Sequence, residues 1–181
     1  MRAIINCSET YDLFLSLMVD MISIGVIYFS ISGNSEKIAR LIASKYPQVE
    51  LIPIVINEKI PKYKIGQILK YGTRTIMNRP IDYTCELERV KEMDVIIIGF
   101  PIWVGRIPSP LREIISQVDL KDKKIAAYCT YDSSPGDMKD QLFAFTESEL
   151  FTSFHSFKDP VDVNSESFNN EIERLMRTVI S

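Results

Sequence analysis

The sequence predicts an α/β protein built on an open, doubly wound parallel sheet. Three observations carry that reading. From residue 22 onward, short runs rich in Val, Ile and Phe alternate with segments whose apolar residues recur at helical spacing. Some runs, above all Val95-Ile96-Ile97-Ile98, are continuously apolar, as parallel strands covered on both faces are. The connections are short, and five strand–helix units are too few for an eight-unit barrel. An open sheet flanked by helices on both faces remains, with its ligand site at the carboxyl ends of the strands.

Taken in order, residues 22–29 form the first expected strand. Ile38, Leu41, Ile42 and Lys45 follow at helical spacing, with Glu36 in the first turn, where the helix dipole favours an acid. Residues 49–56 are the second strand. Residues 62–77 read as a weaker helix, with Ile65, Ile68, Leu69 and Ile76 on one face and two interrupting glycines. Residues 94–99 are the third strand. Ser109-Pro110 opens the next helix as N-cap plus first-turn proline, and Leu111, Ile114, Ile115 and Val118 form its apolar face. Residues 124–130 are the fourth strand, and Met138, Leu142 and Phe145 mark the helix after it. Residues 151–157 are the fifth strand. Phe168, Ile172, Leu175, Met176 and Val179 form the stripe of a closing helix.

The first 20 residues read differently. Glu9, Asp12 and Asp20 interrupt the apolar run at residues 13–19, and no signal-peptide cleavage pattern is present. By length alone residues 13–31 suit a membrane span, but Asp20 sits in the middle and the second half fits a core strand. Residues 1–20 are therefore expected to be an extension, amphipathic or disordered, or a stretch upstream of a true start at Met21, with the domain proper at 21–181. No membrane association is expected.

The 181 residues, 46% hydrophobic and 25% charged, suit one folded domain and exclude disorder, collagen-like repeats and a polytopic membrane protein. A net charge of −3 disfavours a broad nucleic-acid surface. Cys7, Cys85 and Cys129 are far apart and odd in number, which fits a reducing cytoplasm, and the single His155 disfavours a histidine metal site.

The loop after the first strand is Ser30-Ile31-Ser32-Gly33-Asn34-Ser35. It carries three hydroxyls, an amide and a glycine, and no charge. Such residues suit a phosphate monoester: backbone N–H groups form an anion nest, the helix N-terminus adds partial positive charge, and the hydroxyls donate. Gly33 lets the backbone take positive φ. The nucleotide-triphosphate P-loop would need a lysine, the dinucleotide fingerprint two further glycines, and a phosphoreceiver acids after its first strand. Plain helix capping by Ser and Asn is the other reading of the same residues.

This loop, at all four fixed positions of [ST]-x-[ST]-G-x-[ST], resembles the FMN-phosphate loop of flavodoxins. Ile98-Gly99-Phe100-Pro101-Ile102-Trp103-Val104-Gly105 is similar to that family's third strand and flavin-contacting loop. With the order of elements, the resemblance spans residues 21–181. It implies a flavodoxin-like sheet of five parallel strands in the order 2-1-3-4-5, and FMN as cofactor. Ser30, Ile31, Ser32, Gly33, Asn34 and Ser35 would hold the phosphate.

Pro101, Ile102, Trp103, Val104 and Gly105 would meet the isoalloxazine ring. Trp103, the only tryptophan, offers a planar face for stacking, against the alternative of a core aromatic. In the loop after the fourth strand the resemblance makes Tyr131 the second ring, with Thr130 and Asp132 reaching the flavin edge through backbone groups. A polar turn before the next helix is the alternative there. No residue is required as nucleophile or general acid. Cys129 reads as a small apolar strand residue and His155 as a surface or satisfied one.

Charge is uneven along the chain: net −2 over residues 1–20, +4 over 21–135 and −5 over 136–181. Lys59, Lys62, Lys64, Lys70, Arg74 and Arg79 face only Glu58 in their stretch, and Arg106 lies in the flavin-type loop. The domain thus departs from the acidic balance typical of flavodoxins. The expected function is a low-potential FMN electron carrier working with redox partner proteins. The alternative is an NAD(P)H-dependent FMN or quinone reductase on the same fold.

Overall fold

The computed structural model describes residues 22–181 apart from residues 147, 149 and 160. The expected extension over residues 1–20 lies outside the described residues. Six strands form one sheet: β1 (Ile24–Phe29), β2 (Val49–Ile56), β3 (Tyr83–Thr84), β4 (Val95–Pro101), β5 (Lys124–Tyr131) and β6 (Phe151–Lys158). Their order is β3-β2-β1-β4-β5-β6. The five expected strands are the parallel ones, in the expected order. The sixth, β3, adds antiparallel to the edge through Val55 opposite Thr84 and Ile56 opposite Tyr83. Two residues are too short a run for alternation to reveal.

The helices are α1 (Asn34–Lys45); α2, made of Lys64–Gln67, a π-helical turn Ile68–Gly72 and Thr73–Ile76; α3 (Leu87–Glu92); α4 (Ser109–Ile115); α5 (Met138–Thr146); and α6 (Glu166–Ile180). Successive strand residues point to opposite faces, so the sheet carries two cores. Ile24, Val26 and Tyr28 of β1, with Val95 and Ile97 of β4, pack against Ile38 and Ile42 of α1 and Ile172 and Leu175 of α6. Ile27 and Phe29, with Ile96, Ile98 and Phe100, pack against Leu111 and Ile114 of α4 and Leu142 of α5. β1 and β4 are buried along almost their whole length, which is why they read as unbroken apolar runs.

Two local expectations are corrected. Ser109 does not cap α4: it is already helical, Pro108 takes the cap position and Pro110 stands second. The Ser109 hydroxyl is buried with no hydrogen-bond partner among the described residues. In α2 the Ile65, Ile68, Leu69 and Ile76 face is turned to solvent, while Tyr71, Gly72 and Thr75 are buried. The reason lies in the contacts of the π-helical turn. Tyr71 stacks on Trp103 with ring centroids 5.4 Å apart, and Gly72 lies so close to Val104 that any side chain there would collide with Val104 Cγ2. His155 lies within β6 and has a partner, its Nδ1 being 2.8 Å from Glu171 Oε2.

Candidate functional site

The loops after β1, β4 and β5 leave the same edge of the sheet and border a cleft of about 520 Å³. Of the residues expected there, Ile31, Ser32, Pro101, Ile102, Trp103, Val104, Gly105, Thr130, Tyr131 and Asp132 line it. Ser30, Gly33, Asn34 and Ser35 do not. Ser30 faces a neighbouring groove of about 330 Å³ on the other side of Ile31, and its hydroxyl is buried with no partner among the described residues. Gly33 is the N-cap of α1 at φ 87°, in the left-handed region, and no side chain caps the helix. The first-turn N–H groups of an α-helix have no intrahelical acceptor. This loop therefore does not use its serines and asparagine as plain caps.

Ser35 has gone inward. It is buried, and its hydroxyl lies 3.2 Å from that of Thr130. Two hydroxyls bring two hydrogens to that contact and use one, so one O–H remains to donate elsewhere. The Tyr128 hydroxyl, fully buried, donates to the Ser35 carbonyl at 2.9 Å. Strand β5 thus fixes the first loop from beneath. The Ile102 N–H donates to the Thr130 carbonyl at 2.9 Å, joining the second loop to the third. The Asp159 N–H donates to the Tyr131 carbonyl at 2.7 Å, holding the third loop to the end of β6.

Trp103 and Arg106 exchange both backbone hydrogen bonds, at 3.0 and 2.9 Å, closing a tight turn with Val104 and Gly105 at its tip. Both tip residues have positive φ, 50° and 68°, as a type I′ turn requires. Glycine suits that conformation; a β-branched valine is strained by it. The Trp103 ring is half-buried. It meets Phe29 edge-on at 4.9 Å and Tyr71 nearly parallel at 5.4 Å, so part of its surface is already engaged.

Several lining residues were not singled out from the sequence. Gln67, Ile68 and Gly72 reach the cleft from α2; Ser133, Ser134 and Gly136 extend the third loop; Asp159 closes the far side. No periodic signal links α2 to the strand ends, because that approach depends on how the helix lies across the sheet. Ser133-Ser134-Pro135-Gly136 is legible in the sequence as a polar turn but not as a wall of the cleft. Among the described residues, the lining includes the carboxylates Asp132 and Asp159 and no lysine or arginine. Behind the wall, burial pushes the Cys129 thiol up to about 12, with Asp159 adding to it. No group of acids, cysteines and histidine among the described residues is placed to hold a metal ion, and no described helix is long and apolar enough to cross a membrane.

No protein-family model and no curated protein matches the chain. Solved structures do. A Lactobacillus acidophilus flavoprotein, determined in complex with FMN, superposes with a TM-score of 0.64 at 16% identity over 86% of this chain and 99% of that one. Flavodoxin 1 from Bacillus cereus gives 0.57 at 18% identity over 87% and 96%. The two-electron reduced Megasphaera elsdenii flavodoxin gives 0.54 at 17% identity over 87% and 98%. Strand order, helix placement and these likenesses agree: the chain has a flavodoxin-like fold.

Proposed function

We propose that this chain binds FMN in the cleft at the ends of β1, β4 and β5 and serves as a low-potential electron carrier. The observation that carries the reading is the uncapped N-terminus of α1. A left-handed Gly33 opens the loop, no side chain caps the helix, and the Ser30 hydroxyl beside it is buried without a partner among the described residues. Backbone N–H groups of residues 31–35 and the Ser32 hydroxyl, which lines the cleft, would hold the phosphate, aided by the helix dipole. Ser35 acts through its bond to Thr130.

Trp103 and Tyr131 would border the ring, with backbone groups of residues 101–105 and 130–132 at its polar edge. Bound FMN supplies reversible transfer of one or two electrons. The chain sets the energy of that transfer: aromatic walls and the anionic phosphate disfavour the extra negative charge of the reduced flavin and lower the potential. The FMN named for the Lactobacillus flavoprotein supports the choice of cofactor. The free thiols Cys85 and Cys129 support action in a reducing compartment such as the cytoplasm.

The test is spectroscopic. Purified protein titrated with FMN should quench flavin fluorescence and shift its visible bands. Ser32→Asp, which sets a carboxylate against the phosphate, should abolish uptake while leaving the melting temperature within a few degrees. Unchanged affinity in that variant refutes the assignment. Under anaerobic conditions, bleaching by NADPH or NADH alone, at catalytic protein levels, would replace the carrier by a reductase.

A further inference from the structure

Residues 58–79 carry six bases and one acid, a local charge of +5 in a chain whose total is −3. The single acid is already engaged: Glu58 is 2.8 Å from Lys70 Nζ and 2.5 Å from Arg74 Nη1. Lys59, Lys62 and Arg79 remain exposed around them. The same stretch carries the outward apolar face of α2 and of the residues flanking it. Ile65 is 75% exposed, Tyr63 73%, Leu69 64% and Met77 61%, with Ile68 and Ile76 beside them. An amphipathic helix ordinarily turns such a stripe to the core. Here the π-helical turn is anchored by Tyr71 and Gly72, so the stripe is left in water. Exposed large apolar residues at helical spacing, in a stretch dense with lysine and arginine, suit an interaction surface.

The face runs into the mouth of the cleft. Ile68 and Val104 are exposed and also line it, and Arg106 stands exposed at the end of the Val104 turn. We propose that the α2 face, Tyr63 to Met77 with the lysines and arginines of the same stretch, is the docking surface for an acidic electron-transfer protein. The proposal rests on the FMN reading for the partner's task, and on charge for its nature. A second copy of this chain would set one +5 segment against another, and like charges facing across an interface are repelled. An acidic partner is complementary to this segment and is repelled by the rest of the molecule, so the local field also orients its approach.

The probe is an oxidised, strongly acidic plant-type [2Fe–2S] ferredoxin, titrated calorimetrically into the FMN-loaded chain. Affinity should fall about tenfold or more between roughly 20 and 200 mM salt, as expected for steering by exposed charges. Lys59→Glu/Lys62→Glu/Arg79→Glu should weaken binding by about a hundredfold. Ile65→Ser/Leu69→Ser should weaken it about tenfold with its salt dependence unchanged. None of these residues lines the cleft, so both variants should keep wild-type FMN affinity and melting temperature. No ferredoxin binding, or equal binding in the charge variant, overturns the proposal. So does a dimer abolished by Ile65→Ser/Leu69→Ser, which would assign the face to a second copy. Binding to phosphatidylserine vesicles in place of ferredoxin would overturn it in favour of a lipid surface. Docking is read by heat of binding and not by flavin colour. A chain that takes up no FMN yet binds the probe would therefore sink the cofactor reading alone.

Discussion

Gly99 lies in β4 directly opposite Tyr128 of β5. A methyl group on Gly99 would stand 2.8 Å from Tyr128 Cε1 and closer still to its Cζ and hydroxyl oxygen. Tyr128 cannot swing away, because it is fully buried and its hydroxyl donates to the Ser35 carbonyl. Gly99→Ala therefore forces the ring aside, at about 1–3 kcal/mol for overpacking. It also separates the hydroxyl from its acceptor, adding about 1–3 kcal/mol for a buried donor left unmet. Against this, alanine restricts the unfolded chain and returns only about 0.4–1 kcal/mol.

The net loss should be about 1–6 kcal/mol, which lowers the melting temperature by roughly 2–20 °C at this chain length. Urea unfolding followed by far-UV circular dichroism measures it. The decisive arm is the same substitution in a Tyr128→Val background, where no ring meets the new methyl. There Gly99→Ala should be neutral or mildly stabilising, giving a coupling of about 2 kcal/mol or more. A melting temperature within a degree of wild type for Gly99→Ala alone, or equal costs in both backgrounds, would refute the steric argument.

Other outcomes follow from single sites. Hydrogen bonds from Lys70 and then Arg74 lower the Glu58 carboxyl from 4.5 to about 2. Because its folded value is the depressed one, the stabilisation is present above about 4.5 and fades as pH falls towards 2. Urea midpoints measured down that range should fall, and Glu58→Gln should flatten this part of the slope. Val104→Asn, placing a residue that tolerates the left-handed region at φ 50°, should stabilise by about 1 kcal/mol; a loss of stability would mean that the Val104 side-chain contact with α2 outweighs the torsional strain. In a Cys7→Ser/Cys85→Ser variant, Cys129 should ignore a thiol reagent at pH 8 until the protein unfolds, since burial holds its thiol near about 12. Rapid native labelling would contradict its placement.

The strands and the first loop were legible because each is written locally. Val95-Ile96-Ile97-Ile98 is the strongest strand signal in the chain, β-branched and continuously apolar, and strand-Ser-x-Ser-Gly-x-Ser-helix brings its donors together within a few residues. The same holds for the amphipathic stripes of α1 and α6, whose inward faces follow from spacing alone. What the chain order could not carry was the meeting of distant parts. Ser35 turns inward to Thr130, 95 positions away in the chain, and Tyr128 of the same strand, β5, reaches the Ser35 carbonyl. Trp103, singled out as a free stacking face, is half engaged by Tyr71 and Phe29.

The greatest divergence lies in α2. Periodicity identifies its apolar stripe but not the direction in which the stripe points. That direction is decided by two buried contacts, Tyr71 on Trp103 and Gly72 against Val104, which outweigh the usual inward pull of Ile65 and Leu69. The sequence by itself determined the five parallel strands, most of the helices and the phosphate-type loop, because hydrophobic period and helix-terminal chemistry are short-range; the order of the strands came from the family resemblance and not from any local signal. Only tertiary packing decided which serine faces the cleft, how Trp103 is shared and which face of α2 meets water, because each is a competition among residues that folding alone brings together.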